Sequence, residues 1–183
     1  AYQGGTVNGA IRFGKAMDPF GLMWIEDVIS WRDVEGFKRI TNSIKTPTLT
    51  GEDIYTTERF KPLIENRAVD IIAPDMATHG GIMENKKAAW LANLYGLSIA
   101  PHFAGSPVSM MANIHAAAVM PNNLIAVEFH AVGVPWWEDM VKGLEKPIIK
   151  DGFVNVPDSP GLGIELNEEV VRKHLSEGEK YFE

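Results

Sequence analysis

Residues 22–28 read LMWIEDV, an apolar run that closes on two adjacent carboxylates, Glu26 and Asp27. A short apolar run of this kind suits a strand buried on both faces. Buried acids are costly unless something pairs with them. A buried strand that finishes in acids therefore points to a solvated loop mouth, or to a cation or substrate at which the acids are aimed. One strand does not choose between these, but the rest of the chain repeats the pattern.

Working outward, apolar stretches with β-branched residues alternate with longer amphipathic ones. The patterning predicts strands over 22–26, 48–51, 69–73, 97–100 and 124–129, and helices over 7–18, 33–43, 56–65, 81–95 and 108–119. Ile11, Ala16 and Met17 are expected on the core face of the first helix, and Phe37 and Ile40 on that of the second. Thr56 or Thr57 is expected to cap the third, and Gly96 to close the fourth. Strands alternating with helices in this way predict an α/β fold with parallel strands and crossover helices. After Phe129 the rhythm stops. PWW at 135–137 and PDSPGLG at 157–163 are loop-rich, and a short helix over 167–175 has acids at its start. This tail reads as a cover or strap and not as another βα unit.

The bulk numbers narrow the class. With 183 residues, 45% apolar and 22% charged, the chain is of ordinary globular composition. A net charge of −7 without a basic patch argues against a nucleic-acid partner. Zero cysteines exclude disulfides, thiolate metal sites and a Cys nucleophile, and fit a cytoplasmic location. No apolar run approaches the ~20 residues of a membrane span, so no membrane partner is expected.

The predicted strands end in Glu26, Glu52 (LTGED), Asp75 (DIIAPD), His102 (SIAPHF) and Glu128 (IAVEF), at intervals of 26, 23, 27 and 26 residues. Each interval suits one βα unit. In a parallel barrel all these ends open on the C-terminal face, where active sites sit. Four converging acids repel one another, which implies a divalent cation. Oxygen donors without Cys favour magnesium or manganese over zinc. Asp27, Asp53 and Glu58 read as solvated or capping residues. Among the other histidines, His115 reads as packing, His174 as a tail residue, and His79 as a loop residue with some claim to the mouth. His130 is expected to point away from Glu128.

The phrases LMWIEDV, TPTLTGE, VDIIAPD with GGIMENKKAAWLA, SIAPHFAGSP and DGFVNVPDSPGLGIELNEE resemble, in order and spacing, the mandelate racemase-like subgroup of the enolase superfamily. The resemblance implies the C-terminal part of a modified TIM (β/α)7β barrel, with residues 1–134 as strands 4 to 8 and residues 135–183 as a segment returning to a capping domain. It implies that Glu26 and Glu52 bind one Mg2+ (Mn2+ being the alternative), with a third ligand, an Asp, expected upstream of Ala1. His102 and Asp75 resemble the family's acid/base dyad, and Glu128 the acid that hydrogen-bonds the substrate. The capping domain, the first strands and a Lys-type base are expected upstream, so another part of the same protein is needed to complete the barrel.

The implied reaction is proton abstraction α to a carboxylate, with an enediolate stabilised by the metal. The PWW motif and the PGLGIELNEE tail resemble acid-sugar dehydratases more than racemases. The expected substrate is a sugar acid, dehydrated to a 2-keto-3-deoxy acid by a homo-oligomeric enzyme. Racemisation, epimerisation and cycloisomerisation are the competing reactions, and a non-catalytic scaffold subunit is the competing class.

Overall fold

The computed structural model describes residues 5–130 and 133–182. Its sheet is parallel, with strand order β1 (Ile25–Glu26), β2 (Thr48–Thr50), β3 (Ile71–Ile72) and β4 (Ser98–Ile99). Helices α1 (Val7–Met17), α2 (Val34–Thr41), α3 (Thr56–Glu65), α4 (Gly81–Leu94) and α5 (Pro107–Ala117) precede, connect and succeed these strands. The register pairs Ile25 with Thr48, Leu49 with Ile71, and Ile72 with Ile99. The strands are shorter than predicted. Leu22 and Met23 are exposed and lie outside the first.

The predicted strand over 124–129 does not form as a regular strand. Leu124 makes an isolated parallel bridge to Ile99, and Ile125, Glu128 and His130 donate amide hydrogens to Ile99, Pro101 and Phe103. The segment therefore lies beside β4 as a fifth parallel element. Among the described residues it has a sheet partner on one side only, which leaves the ladder irregular.

The sheet is buried on both faces, as parallel sheets generally are. One face meets the helices through Phe37, Ile40, Ile54, Phe60, Leu63, Ile64, Ile72 and Ile99. The inner face carries a small separate cluster of Leu49, Ile71, Ala73 and Ala100, flanked by Trp24. Side-chain parity then sets the direction of the polar residues at the strand ends. Asp75 lies two residues beyond Ala73 and His102 two beyond Ala100, so both continue the inner face.

Two helix details differ from expectation. In α1 the buried residues are Ala10 and Gly14, while Ala16 is exposed. A Cβ at Gly14 would come within 2.7 Å of Ile44, so close approach of the α2–β2 connection selects glycine there. In α3 the N-cap is Tyr55, and both threonines lie inside the helix. The Thr57 amide and hydroxyl instead donate to the Glu84 carboxylate, at 3.0 and 2.8 Å, which ties α3 to α4. Gly96 closes α4 in the left-handed region, with φ of 75°.

The tail forms a two-residue antiparallel ladder, β5 (Val141–Lys142) with β6 (Glu165–Leu166), and then α6 (Glu168–Lys173). It packs on α5 through a second core of Phe103, Met110, Met111, Ile114, Trp137, Val141 and Ile148. No helix among the described residues is long and apolar enough to cross a membrane.

Candidate active site

The C-terminal ends of the strands form one cleft lined by Glu26, Asp27, Glu52, His102, Ala104, Glu128 and His130. Asp75 lies directly behind it, buried and bonded to His102. The five residues predicted from the strand tips are thus brought together.

The centre of the arrangement is His102. Its Nδ1 lies 2.7 Å from Asp75 Oδ2, and its Nε2 lies 3.0 Å from Glu52 and 4.0 Å from Glu128. Each partner is held in turn. Asp75 Oδ1 accepts the amides of Ala77 and Thr78, at 2.7 and 3.3 Å, which fixes the carboxylate plane and leaves Oδ2 for the ring. Asn113, fully buried on α5, donates to the His102 carbonyl at 2.9 Å. The indole of Trp137 donates to the Gly105 carbonyl at 2.7 Å, pinning the loop after His102.

Charge is set by this geometry. Burial alone would lower the His102 pKa, but the Asp75 hydrogen bond and the nearby Glu128 and Glu52 carboxylates outweigh it, and the net shift is upward. Burial alone would raise Asp75, but the His102 and backbone hydrogen bonds outweigh it and hold its carboxyl low. The pair is thus polarised as an imidazole with an anionic anchor. Glu26 goes the other way. Burial, with Glu128 and Asp27 beside it, pushes its carboxyl up to about 7.

Oxygens of Glu26, Asp27 and Glu52 lie within 4.8 Å of one another. Three oxygen donors this close, with one carboxyl driven toward its neutral form by burial and by its acidic neighbours, suit a hard divalent cation. The donor set fits magnesium or manganese and lacks the nitrogen and sulfur ligands that zinc prefers.

Asp27 is the clearest departure from the sequence-based expectation. It is 1% exposed and lines the cleft, so it is neither solvated nor a cap. Burial raises its pKa against the pull of a hydrogen bond from the Thr50 hydroxyl. The only sequence signal was its place beside Glu26, before the apolar Val28 and Ile29. His130 also departs, since it lines the same cleft as Glu128. Two residues apart in extended chain share a face, and that parity could have found it. His79 lies outside the cleft. It is fully buried, with Nδ1 3.2 Å from the Ile54 carbonyl and its ring edge-on to Phe60. His115 contacts the Leu162 carbonyl, His174 stacks on Trp136, and Asp53 and Glu58 are exposed.

Parallel strands with acids and a histidine at their C-terminal ends define a segment of a β/α barrel that carries its functional groups on the C-terminal face. The chain belongs to the enolase C-terminal domain-like family, whose model matches residues 1–170. Its backbone superposes on a mandelate racemase/muconate lactonizing enzyme-like protein from Rubrobacter xylanophilus with a TM-score of 0.89 and 38% identity, over 93% of this chain and 43% of that one. Among curated relatives, it is 37% identical to D-xylonate dehydratase of Haloferax volcanii, over 97% of this chain and 42% of that protein. It is 30% identical to D-galactarolactone cycloisomerase of Agrobacterium fabrum, over 93% of this chain and 47% of that one. The chain thus spans less than half the length of these relatives.

Proposed function

We propose that this chain supplies the proton-transfer half of a magnesium-dependent sugar-acid dehydratase. The observation that carries the proposal is the His102 ring, anchored by Asp75 at Nδ1 and presenting Nε2 to the space between Glu52 and Glu128. Hydrogen bonding to Asp75 keeps a proton on Nδ1, and with the Glu52 carboxylate turned from its 3.0 Å contact with Nε2 to a cation, the Nε2 lone pair faces the cleft. Nε2 takes the proton α to the substrate carboxylate, within ordinary general-base reach. Glu26 and Glu52 hold the cation, with an Asp from the upstream part of the protein as a further ligand. A bound divalent cation supplies Lewis-acid stabilisation of the charge that develops on the substrate carboxylate. Glu128 faces the same space and hydrogen-bonds the carboxylate end of the substrate. The β-hydroxyl takes the proton returned by protonated His102 and leaves as water, while the electron pair of the broken C–H bond forms the enol, and tautomerisation gives a 2-keto-3-deoxy acid.

Relatives named as acid-sugar dehydratases support dehydration over racemisation. The cycloisomerase relative supports one competing reading, since the same proton abstraction can serve it. In this reading residues 1–134 complete a barrel begun by upstream strands, and 135–183 return toward a capping domain that reads the far end of the substrate. The working unit is a homo-oligomer.

The test is turnover of the full-length protein with magnesium on aldonates and aldarates, D-xylonate and galactarate among them, with 2-keto acid formation measured as a semicarbazone. Dehydration of at least one is expected. Isomerisation of a lactone with no keto acid formed would instead favour the cycloisomerase. Inertness toward every acid and lactone would sink both.

A further inference from the structure

Glu26 and Glu52 have a task in the proposed chemistry, whereas the third carboxylate beside them has none. Asp27 is 1% exposed, and its backbone is left-handed, with φ of 48°. Non-glycine residues rarely adopt that region, and Asp is among the few side chains that tolerate it. The turn ends β1 directly after Glu26. The Asp27 amide still donates to the Leu49 carbonyl at 3.0 Å, so the tip of β1 stays tied to β2. Oδ1 accepts the hydroxyl of Thr50, itself fully buried two residues before Glu52. Oδ2 is buried and has no hydrogen-bond partner. A buried carboxylate oxygen left unpaired is destabilising. One Asp27 oxygen lies within 4.8 Å of oxygens of both Glu26 and Glu52, at the wall of the same cleft.

A purely structural carboxylate would have both oxygens satisfied. This one has one oxygen tethered to the strand that carries Glu52 and the other unsatisfied, and two more carboxylates lie beside it. We infer that Asp27 is a positioning residue of the cation site: through Thr50 it locks the tips of β1 and β2 at the spacing Glu26 and Glu52 need, and its charge strengthens their hold on a divalent cation. The inference rests on the reading of Glu26 and Glu52 as cation ligands. Polar groups that orient metal ligands typically change metal affinity by ~10–100-fold when removed.

The experiment uses the full-length protein and Mn2+ as the probe, with binding read by electron paramagnetic resonance and melting temperature read without metal. Asp27→Asn keeps an acceptor for Thr50 and removes the charge. It should raise the Mn2+ Kd by ~10–100-fold while the metal-free melting temperature stays level or rises. Thr50→Val keeps the charge and cuts the tether, and should raise the Mn2+ Kd with Asp27 unchanged. A lowered melting temperature with an unaltered Mn2+ Kd in Asp27→Asn would make Asp27 a structural residue and overturn the inference. An unaltered Kd in Thr50→Val would overturn the tether even if Asp27→Asn failed to fold. Failure of the unsubstituted protein to bind Mn2+ would instead remove the cation site itself, and the inference with it.

Discussion

At the scale of single residues, the site is a set of unequal carboxylates around one ring. Asp75 is held low and Glu26 is pushed up to about 7, although both are partly or wholly buried. Hydrogen-bond donors account for the difference. Asp75 receives two amides and an imidazole, whereas Glu26 is partly buried among other acids with the Trp24 side chain as a donor that does not offset them. If His102 is the proposed base, His102→Asn should lower turnover of the full-length protein by about 10²–10⁴-fold, the usual contribution of a general base, with Mn2+ binding kept. Asp75→Asn should cost less, and the double variant should be scarcely worse than His102→Asn, because groups that act as a unit do not add. Steady-state kinetics on the four proteins checks this, and additive losses would separate the two residues.

His79 offers a pH prediction away from the cleft. Burial pushes its pKa down, against the pull of the Ile54 carbonyl and Glu84. A histidine with a lowered folded-state pKa takes up its proton more readily when unfolded. Its contribution to stability is therefore complete above the unfolded value of ~6.5 and is lost as pH falls below it. Urea midpoints measured between pH 8 and pH 5 should fall, and His79→Gln should flatten that fall. His102 works in the opposite direction, since its pKa is raised. The comparison of variant with parent isolates His79.

At the scale of elements, the alternation of strand and helix and the identity of each strand's last polar residue were legible in sequence, because both arise from local periodicity. Asp75 and His102 share the parity of Ala73 and Ala100, so an extended segment of known direction places them. Asp27 was not legible, because its position depends on a left-handed turn that no apolar pattern encodes. The Thr57 contact with Glu84 was equally hidden, since it joins residues 27 apart on two different helices, and a threonine at a helix start ordinarily reads as a cap. Gly51 shows how closely the elements fit. A Cβ there would lie 2.7 Å from the backbone of Ala73, the residue that follows β3. Gly51→Ala must push β2 and β3 apart immediately before Glu52. It should destabilise the protein by ~1–3 kcal/mol, the usual range for overpacking, and weaken Mn2+ binding as well. Equilibrium unfolding beside metal titration would show both effects, and a loss of stability with intact metal affinity would confine the strain to the scaffold.

At the scale of the whole molecule, the sheet has two open margins among the described residues. β1 pairs only with β2, and the segment beside β4 has no strand paired on its far side. Apolar surface accompanies both margins. Phe13 and Met23 are 50% and 64% exposed near the first, and Ile125 and Phe129 are 44% and 40% exposed on the second. Unpaired strand edges with adjoining apolar surface are templates for association. Further strands that close a barrel would cover both at once and would bring the remaining cation ligand to the same cleft. Residues 1–183 produced alone should therefore self-associate and bind Mn2+ weakly, whereas co-expression with the proposed upstream part should give a species of uniform size with tighter binding. Light scattering coupled to size exclusion, with Mn2+ titration of each species, separates the alternatives. A uniform monomer of 20.2 kDa that binds Mn2+ as tightly as the longer protein would show that the open margins need no cover and that Glu26, Asp27 and Glu52 hold the cation unaided.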